Sequence, residues 1–163
     1  MDALTAIRKR RSVRSYTGEP IPRADLETIV DAGRLAPSGY NKQPWDFIVV
    51  TERDMIQRLK VASQWMEKAG AIIAIVLTPS RWWKEDGSAA IENMLLASTA
   101  LGYGSCWLQG YTEPLEGEFK ELLGVPEEKR LLTLIPIGVP TEWPTGDKRP
   151  LEDVIHWERY SGA

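Results

Sequence analysis

Four short stretches of this chain combine residue types able to hold a flat, phosphate-bearing ligand. The first is Arg10-Arg11-Ser12-Val13-Arg14-Ser15-Tyr16, whose three guanidiniums and two serine hydroxyls can surround a phosphate with charge-assisted hydrogen bonds. The same cations also suit the C-terminus of a helix, where the dipole favours positive charge. The second stretch runs from Pro37 to Trp45. Ser38 and Gly39 expose backbone donors there, while Asn41 and Gln43 bring amides able to read the edge of a heterocycle. A plain helix-to-strand connection would use similar residues. The third is Gly102 to Gly110, in which Gly104 and Gly110 would let backbone approach a flat ligand closely, or else cap a helix and turn. In the fourth, Lys148 and Arg149 precede the rigid Pro150, and a solvated tail has the same composition.

Other chemistries lack their residues. The chain has no GxSxG, Walker or HExxH motif, and a single His and a single Cys leave an ordinary transition-metal site short of ligands. Gly102-Tyr103-Gly104 begins like a dinucleotide fingerprint, but Trp107 stands where its third glycine belongs, and a helical pattern precedes it instead of a strand. The net charge of −3 provides no field for nucleic acid or an anionic membrane. Cys106 alone excludes an internal disulfide and suits a reducing compartment. Arg8 to Arg11 interrupt any signal-peptide pattern, and the longest apolar run, Ala69 to Leu77, is too short to span a bilayer. These features lead us to expect a cytoplasmic protein. Seven Trp in 163 residues call for a pocket or interface as well as a core.

Periodicity supplies the elements that must position these stretches. A short helix is expected over Asp2 to Arg11, with Leu4 and Ile7 on one face. A second runs from Pro22 to Ala36, burying Leu26, Ile29, Val30 and Gly33. Trp45 to Thr51 alternates as a strand, and Glu52 to Ser63 returns to helical spacing. Ala71 to Leu77 is continuously apolar, as in a strand covered on both faces. A polar and aromatic stretch around Pro79 to Gly87 then precedes a largely apolar helix from Ala89 to Leu101. A short strand at Ser105 to Leu108 and a helix from Pro114 to Leu123, capped by Gly124, complete the approach to the last strand, Leu131 to Val139. Pro136 implies that this strand is an edge or carries a bulge. One domain over residues 1–163 is expected, with a proline-rich tail from about 140.

Taken together and in order, the four stretches resemble the FMN-dependent nitroreductase family. IRKRRSVRSY is similar to its N-terminal phosphate motif and APSGYNKQPWDFIVV to its Pro-Ser turn followed by Asn-x-Gln-Pro-Trp. LGYGSCWLQGY and KRPLEDVIHWERY match its Gly-rich segment and its C-terminal ending. The resemblance implies an α+β fold with a central mixed, mainly antiparallel sheet flanked by helices. It implies a homodimer with two FMN sites built from both subunits, NADH or NADPH as electron donor, and a small-molecule electron acceptor. By position, Arg10, Arg11, Ser12 and Arg14 would face the ribityl phosphate and pyrimidine, with Arg14 beside N1 and O2. Pro37, Ser38, Gly39, Asn41 and Gln43 would come from the other subunit. Gln109 and Gly110 would offer backbone N–H groups to the N5 and O4 edge, and Lys148 and Arg149 would close on the phosphate. Trp82 and Trp83 would either cap the substrate side of the flavin or anchor the dimer. No side chain is expected to act as a catalytic acid or base, and neither metal, membrane nor nucleic acid is expected as a partner. A flavin-dependent dehalogenase and a non-catalytic FMN carrier are the alternatives on the same fold.

Overall fold

Residues 1–160 are described by a computed structural model, with the side chain of Tyr111 left out of account. Its centre is the apolar run, which forms strand β2 (Ala71–Leu77) with every residue buried. β2 pairs antiparallel with β1 (Trp45–Val50) on one side and with β4 (Arg130–Gly138) on the other. The two-residue β3 (Gly104–Ser105) closes the far edge, giving the order β1-β2-β4-β3. Every named ladder is antiparallel. The parallel component is a single bridge, Ser12 to Ser105, that lays the N-terminal segment along β3.

Alternate residues of β2 feed two cores. Ile72, Ala74 and Val76 join Ile56 and Leu59 of α3 (Arg53–Leu59) and Phe119 of α6 (Glu116–Leu123) on one face. Ile73, Ile75 and Leu77 meet α2 (Arg23–Arg34) and α4 (Trp83–Ala100) on the other. The period of two along the strand thus explains why both faces demand apolar residues. Small residues set the closest layers. A Cβ on Gly33 of α2 would stand 2.8 Å from Met94 Cγ of α4. One on Gly87 of α4 would stand 2.6 Å from Leu132 Cδ2 of β4.

Three expectations change. The first helix, α1, covers Ala3–Lys9 rather than reaching Arg11, and its Leu4 and Ile7 are exposed instead of packed inward. α4 begins at Trp83 and not Ala89, because the polar first turns belong to the helix and two of their residues, Asp86 and Gly87, are buried. Pro136 lies in a central strand. Its carbonyl accepts from the Cys106 N–H at 3.2 Å, so its nitrogen faces the same side, where β3 ends after two residues and little ladder is lost. β4 does carry the expected irregularity, but opposite Ile75 and Val76, around Leu132, and not at Pro136.

Two glycines give opposite stability predictions. A Cβ on Gly70 would lie 2.5 Å from the backbone oxygen of Glu19, which no side-chain rotation relieves. Gly70→Ala is expected to destabilise by about 1–3 kcal/mol in urea unfolding. Gly117, near the start of α6, faces open space. Gly117→Ala should therefore stabilise by about 0.5–1 kcal/mol through helix propensity and a stiffer unfolded chain.

Candidate cofactor site

The first candidate stretch becomes an extended segment held against β3. Val13 N–H donates to the Ser105 carbonyl at 3.0 Å. This approach depends on Gly104, since a Cβ there would stand 2.7 Å from the Val13 side chain. Tyr16 is buried and donates through its hydroxyl to the carbonyls of Val13 at 2.7 Å and Pro136 at 3.2 Å. Burial holds its phenol well above the ordinary tyrosine range. The segment is therefore anchored at Val13 and Tyr16, and Arg14 between them is exposed.

The polar groups of this seam crowd around Cys106. Burial pushes the Cys106 thiol up, opposed by the charge of Arg14, by a hydrogen bond with Ser12 and by the charge of Arg10. Arg10 also reaches Glu92 of α4 at 3.4 Å. Arg11 turns its terminal nitrogen back to the carbonyls of Arg8 and Arg10, both at 2.8 Å. Arg11 also borders a cavity of about 630 Å³ with Arg8, Lys9 and Gly102, closed by Trp143 and Pro144 of the tail. Three buried side-chain atoms among the described residues have no hydrogen-bond partner: Arg11 Nε, Ser105 Oγ and Trp107 Nε1. Buried polar atoms are ordinarily satisfied, so these three are exceptions in the described chain.

The second stretch forms a tight turn after α2. Tyr40, Asn41 and Gln43 adopt φ of 53°, 54° and 48°, in the left-handed region. Ser38 braces the turn, accepting from Asn41 N–H through its carbonyl and from Gln43 N–H through its hydroxyl, each at 2.9 Å. Asn41 and Gln43 are exposed. Trp82 packs on this turn and does not stand free: its ring lies 5.6 Å from that of Tyr40 and directly over Gly39. Trp83 lies on another side of the helix start, beneath the Arg130 guanidinium at 5.2 Å. Neither tryptophan caps an open slot within one chain.

Gln109 and Gly110 begin the four-residue helix α5 (Gln109–Thr112), with Gly110 exposed. Gln109 adjoins Trp83, Glu116 and Arg130. Glu116 accepts both guanidinium nitrogens of Arg130 at 2.7 Å and also the Leu131 N–H at 2.9 Å. These bonds hold the Glu116 carboxyl below its ordinary range. Lys148 and Arg149 lie on the exposed tail. Arg149 donates to the Asp153 carbonyl at 2.7 Å, and no ion pair or hydrogen bond among the described residues joins either cation to Arg10–Arg14.

One chain therefore separates its candidate segments. Ser105, beside Ser12, lies opposite Ile137 and hence Ala71, whereas the second stretch enters β1 at Trp45, opposite Leu77. Three strand spacings and six residues of rise place Ser105 and Trp45 about 25 Å apart. Ser105 and Trp107 fall within the third candidate stretch, whereas Asp86 lay in the polar stretch before the expected helix and was not singled out. Asp86 is buried and accepts the Gly39 N–H at 2.8 Å. Nothing in its polar neighbourhood, Lys84-Glu85-Asp86, marked it for burial.

The glycine-rich turn is tied to α2 by the Tyr103 hydroxyl, which donates to Asp25 Oδ2 at 2.6 Å. This bond to Asp25 and partial burial keep the proton on, and the phenol is pushed up to about 12. The folded value exceeds that of free tyrosine, so the stabilisation is complete below about pH 10 and lost as pH rises towards 12. Tyr103→Phe is expected to cost about 1 kcal/mol at pH 7, discounted for exposure. The difference between variant and wild-type unfolding curves should shrink above pH 10.

Comparison with known proteins places this arrangement. The Nitroreductase family model matches residues 7–74 and 57–139. A protein of Archaeoglobus fulgidus, provisionally named NADH dehydrogenase/NAD(P)H nitroreductase, is 38% identical over 174 aligned positions, covering 98% of this chain and 99% of its own. A solved structure from Desulfovibrio desulfuricans, provisionally named a nitroreductase and in complex with FMN, superposes with a TM-score of 0.83 at 29% identity, covering 99% of each chain. The iodotyrosine deiodinase of Daphnia pulex is 26% identical, over 92% of this chain and 64% of that protein. With its sequence matched to the family model across both the anchored arginine segment and the glycine-rich turn, the chain belongs to the Nitroreductase family.

Proposed function

We propose that this protein is an FMN-dependent NAD(P)H oxidoreductase that works as a homodimer and reduces a flat, electron-poor acceptor such as a nitroaromatic, a quinone or a flavin. The observation that carries this reading is the anchored arginine segment, in which Val13 and Tyr16 are buried and Arg14 between them is exposed. Its guanidiniums and the Ser12 hydroxyl suit the oxygens of a ribityl phosphate and flavin ring. The relatives named for NAD(P)H and FMN point to the same ligand.

When bound, FMN would supply the redox chemistry, two-electron transfer between NAD(P)H and the acceptor. The chain's own residues bind and tune. Arg10, Arg11 and Ser12 would hold the phosphate side, aided by Lys148 or Arg149. Gln109 and Gly110 would present N–H groups that α5 leaves without intrahelical partners. Arg14 would set its guanidinium where negative charge develops on reduction. Pro37, Ser38, Gly39, Asn41 and Gln43 would serve the flavin of the second subunit. The roughly 25 Å across the sheet supports that assignment, because one chain holds its two segments at opposite corners.

Exposed apolar side chains support the dimer. Leu4 and Ile7 of α1 face outward, and the tail leaves Trp157 at 76% and Tyr160 at 83% exposure. Large apolar groups held outside the core mark an interaction surface. A second reading, reductive removal of halide from an aromatic substrate, is favoured by the similarity to iodotyrosine deiodinase.

Anaerobic addition of NADH and NADPH to the purified protein is the primary test. A flavin spectrum bleached by either donor is expected, with nitroaromatic, quinone, flavin and iodotyrosine then compared as oxidants. Absence of FMN uptake by a folded protein would overturn the reading, and bound flavin that neither donor bleaches would favour an FMN carrier. Arg14→Ala is expected to lower the two-electron potential by about 30 mV, the lower end for a charge-assisted contact at an exposed position. An unchanged potential in the FMN-loaded variant would remove Arg14 from that role.

A further inference from the structure

The turn from Ser38 to Gln43 carries more strain than its own bonds explain. Three non-glycine residues in the left-handed region are sterically unfavourable and persist only where the surroundings fix them. Within the turn, Ser38 supplies two hydrogen bonds, both directed towards its C-terminal half. The other half is held from outside. Gly39 N–H donates to Asp86 Oδ1 at 2.8 Å, and the Trp82 ring lies so close to Gly39 that a Cβ would stand 2.8 Å from Cε3. The clamp thus has a polar jaw and an aromatic one, both from the start of α4.

Asp86 is costly where it stands. It is 7% exposed, on a helix whose buried face is otherwise formed mainly by Gly87, Ala90, Ile91, Met94 and Leu95. Burying a carboxylate is unfavourable unless it is paired, and the positive end of the 18-residue helix offsets only part of that cost. Glycines set the close approaches of α4 to α2, at Gly33 and Met94, and to the sheet, at Gly87 and Leu132. The Asp86 carboxylate accepts its hydrogen bond from the turn, at the Gly39 N–H.

We infer that Asp86 is a positioning residue for cofactor binding. By fixing the Gly39 amide it aims Ser38, Asn41 and Gln43 at the flavin held on Arg10–Arg14 of the second subunit. The inference rests on the reading under Proposed function, and the experiment separates the two. FMN is titrated into apo wild type, D86A, D86N and R14A, with Kd, the visible circular dichroism of the bound flavin and the thermal midpoint recorded for each. D86A is expected to weaken FMN binding by about 10-fold to 100-fold, as for loss of a charge-assisted bond, and to alter the flavin dichroism. D86N keeps an oxygen for Gly39 and should recover most of the affinity.

A mixed dimer of one D86A and one R14A chain is the decisive measurement. If Asp86 acts on the second subunit's flavin, one of its two sites carries both lesions and the other carries none. Half the chains should then bind FMN with wild-type Kd. Two weakened sites, with none at the wild-type Kd, would overturn the inference, as would D86A binding FMN like wild type or D86N behaving no better than D86A. Failure of wild type itself to bind FMN would instead remove the functional reading on which it stands.

Discussion

The site depends on one close approach of backbone to backbone. Val13 N–H reaches the Ser105 carbonyl at 3.0 Å because Gly104 has no side chain to fend off Val13. With that contact made, the N-terminal segment lies parallel to β3 and Arg14 is held outward between two buried anchors, Val13 and Tyr16. Without it the arginines would be a mobile basic run after a short helix. A guanidinium on a mobile chain must be ordered at the moment of binding, whereas one on an anchored strand is already in place. The pairing thus converts charge, which composition supplies, into preorganised charge.

Long helix α4 links the candidate segments of one chain. Its first turns clamp the Ser38–Gln43 turn through Trp82 and Asp86, Glu92 further along meets Arg10, and its C-terminal end delivers the chain to Gly102 and β3. The glycines on its path let it sit close to both α2 and β4, so its position is set by rigid packing. Displacement of this helix would therefore move the arginine segment and the turn together. One packed element thus couples the positions of two candidate segments within a chain.

The polar interior follows the same logic. Ser98 and Thr99 are buried in α4 but return their hydroxyls to the carbonyls of Met94 and Leu95 at 2.8 and 2.9 Å, so they ask for no further partner. Thr112 does the same with Leu108 at 2.8 Å. Arg11 Nε, Ser105 Oγ and Trp107 Nε1 are the exceptions among the described residues. Most buried hydroxyls are thus answered within their own turn of chain.

Much of this was legible in the sequence, for a local reason. β2, β1, α2 and the Gly124 cap of α6 follow from apolar period and turn chemistry, which depend on neighbours a few residues apart. The order of the four stretches was likewise enough to identify the family. The tertiary structure decided what depends on distant partners. It placed Pro136 in a central strand, because only the shortness of β3 makes a missing N–H cheap there. It drew Trp83–Ser88 into α4, where buried Asp86 finds the Gly39 amide 47 residues away in the chain. It also set Trp82 against Gly39 and Tyr40 and turned Leu4 and Ile7 outward. Periodicity reports which face of an element is apolar, but which surface meets that face is a property of the folded whole.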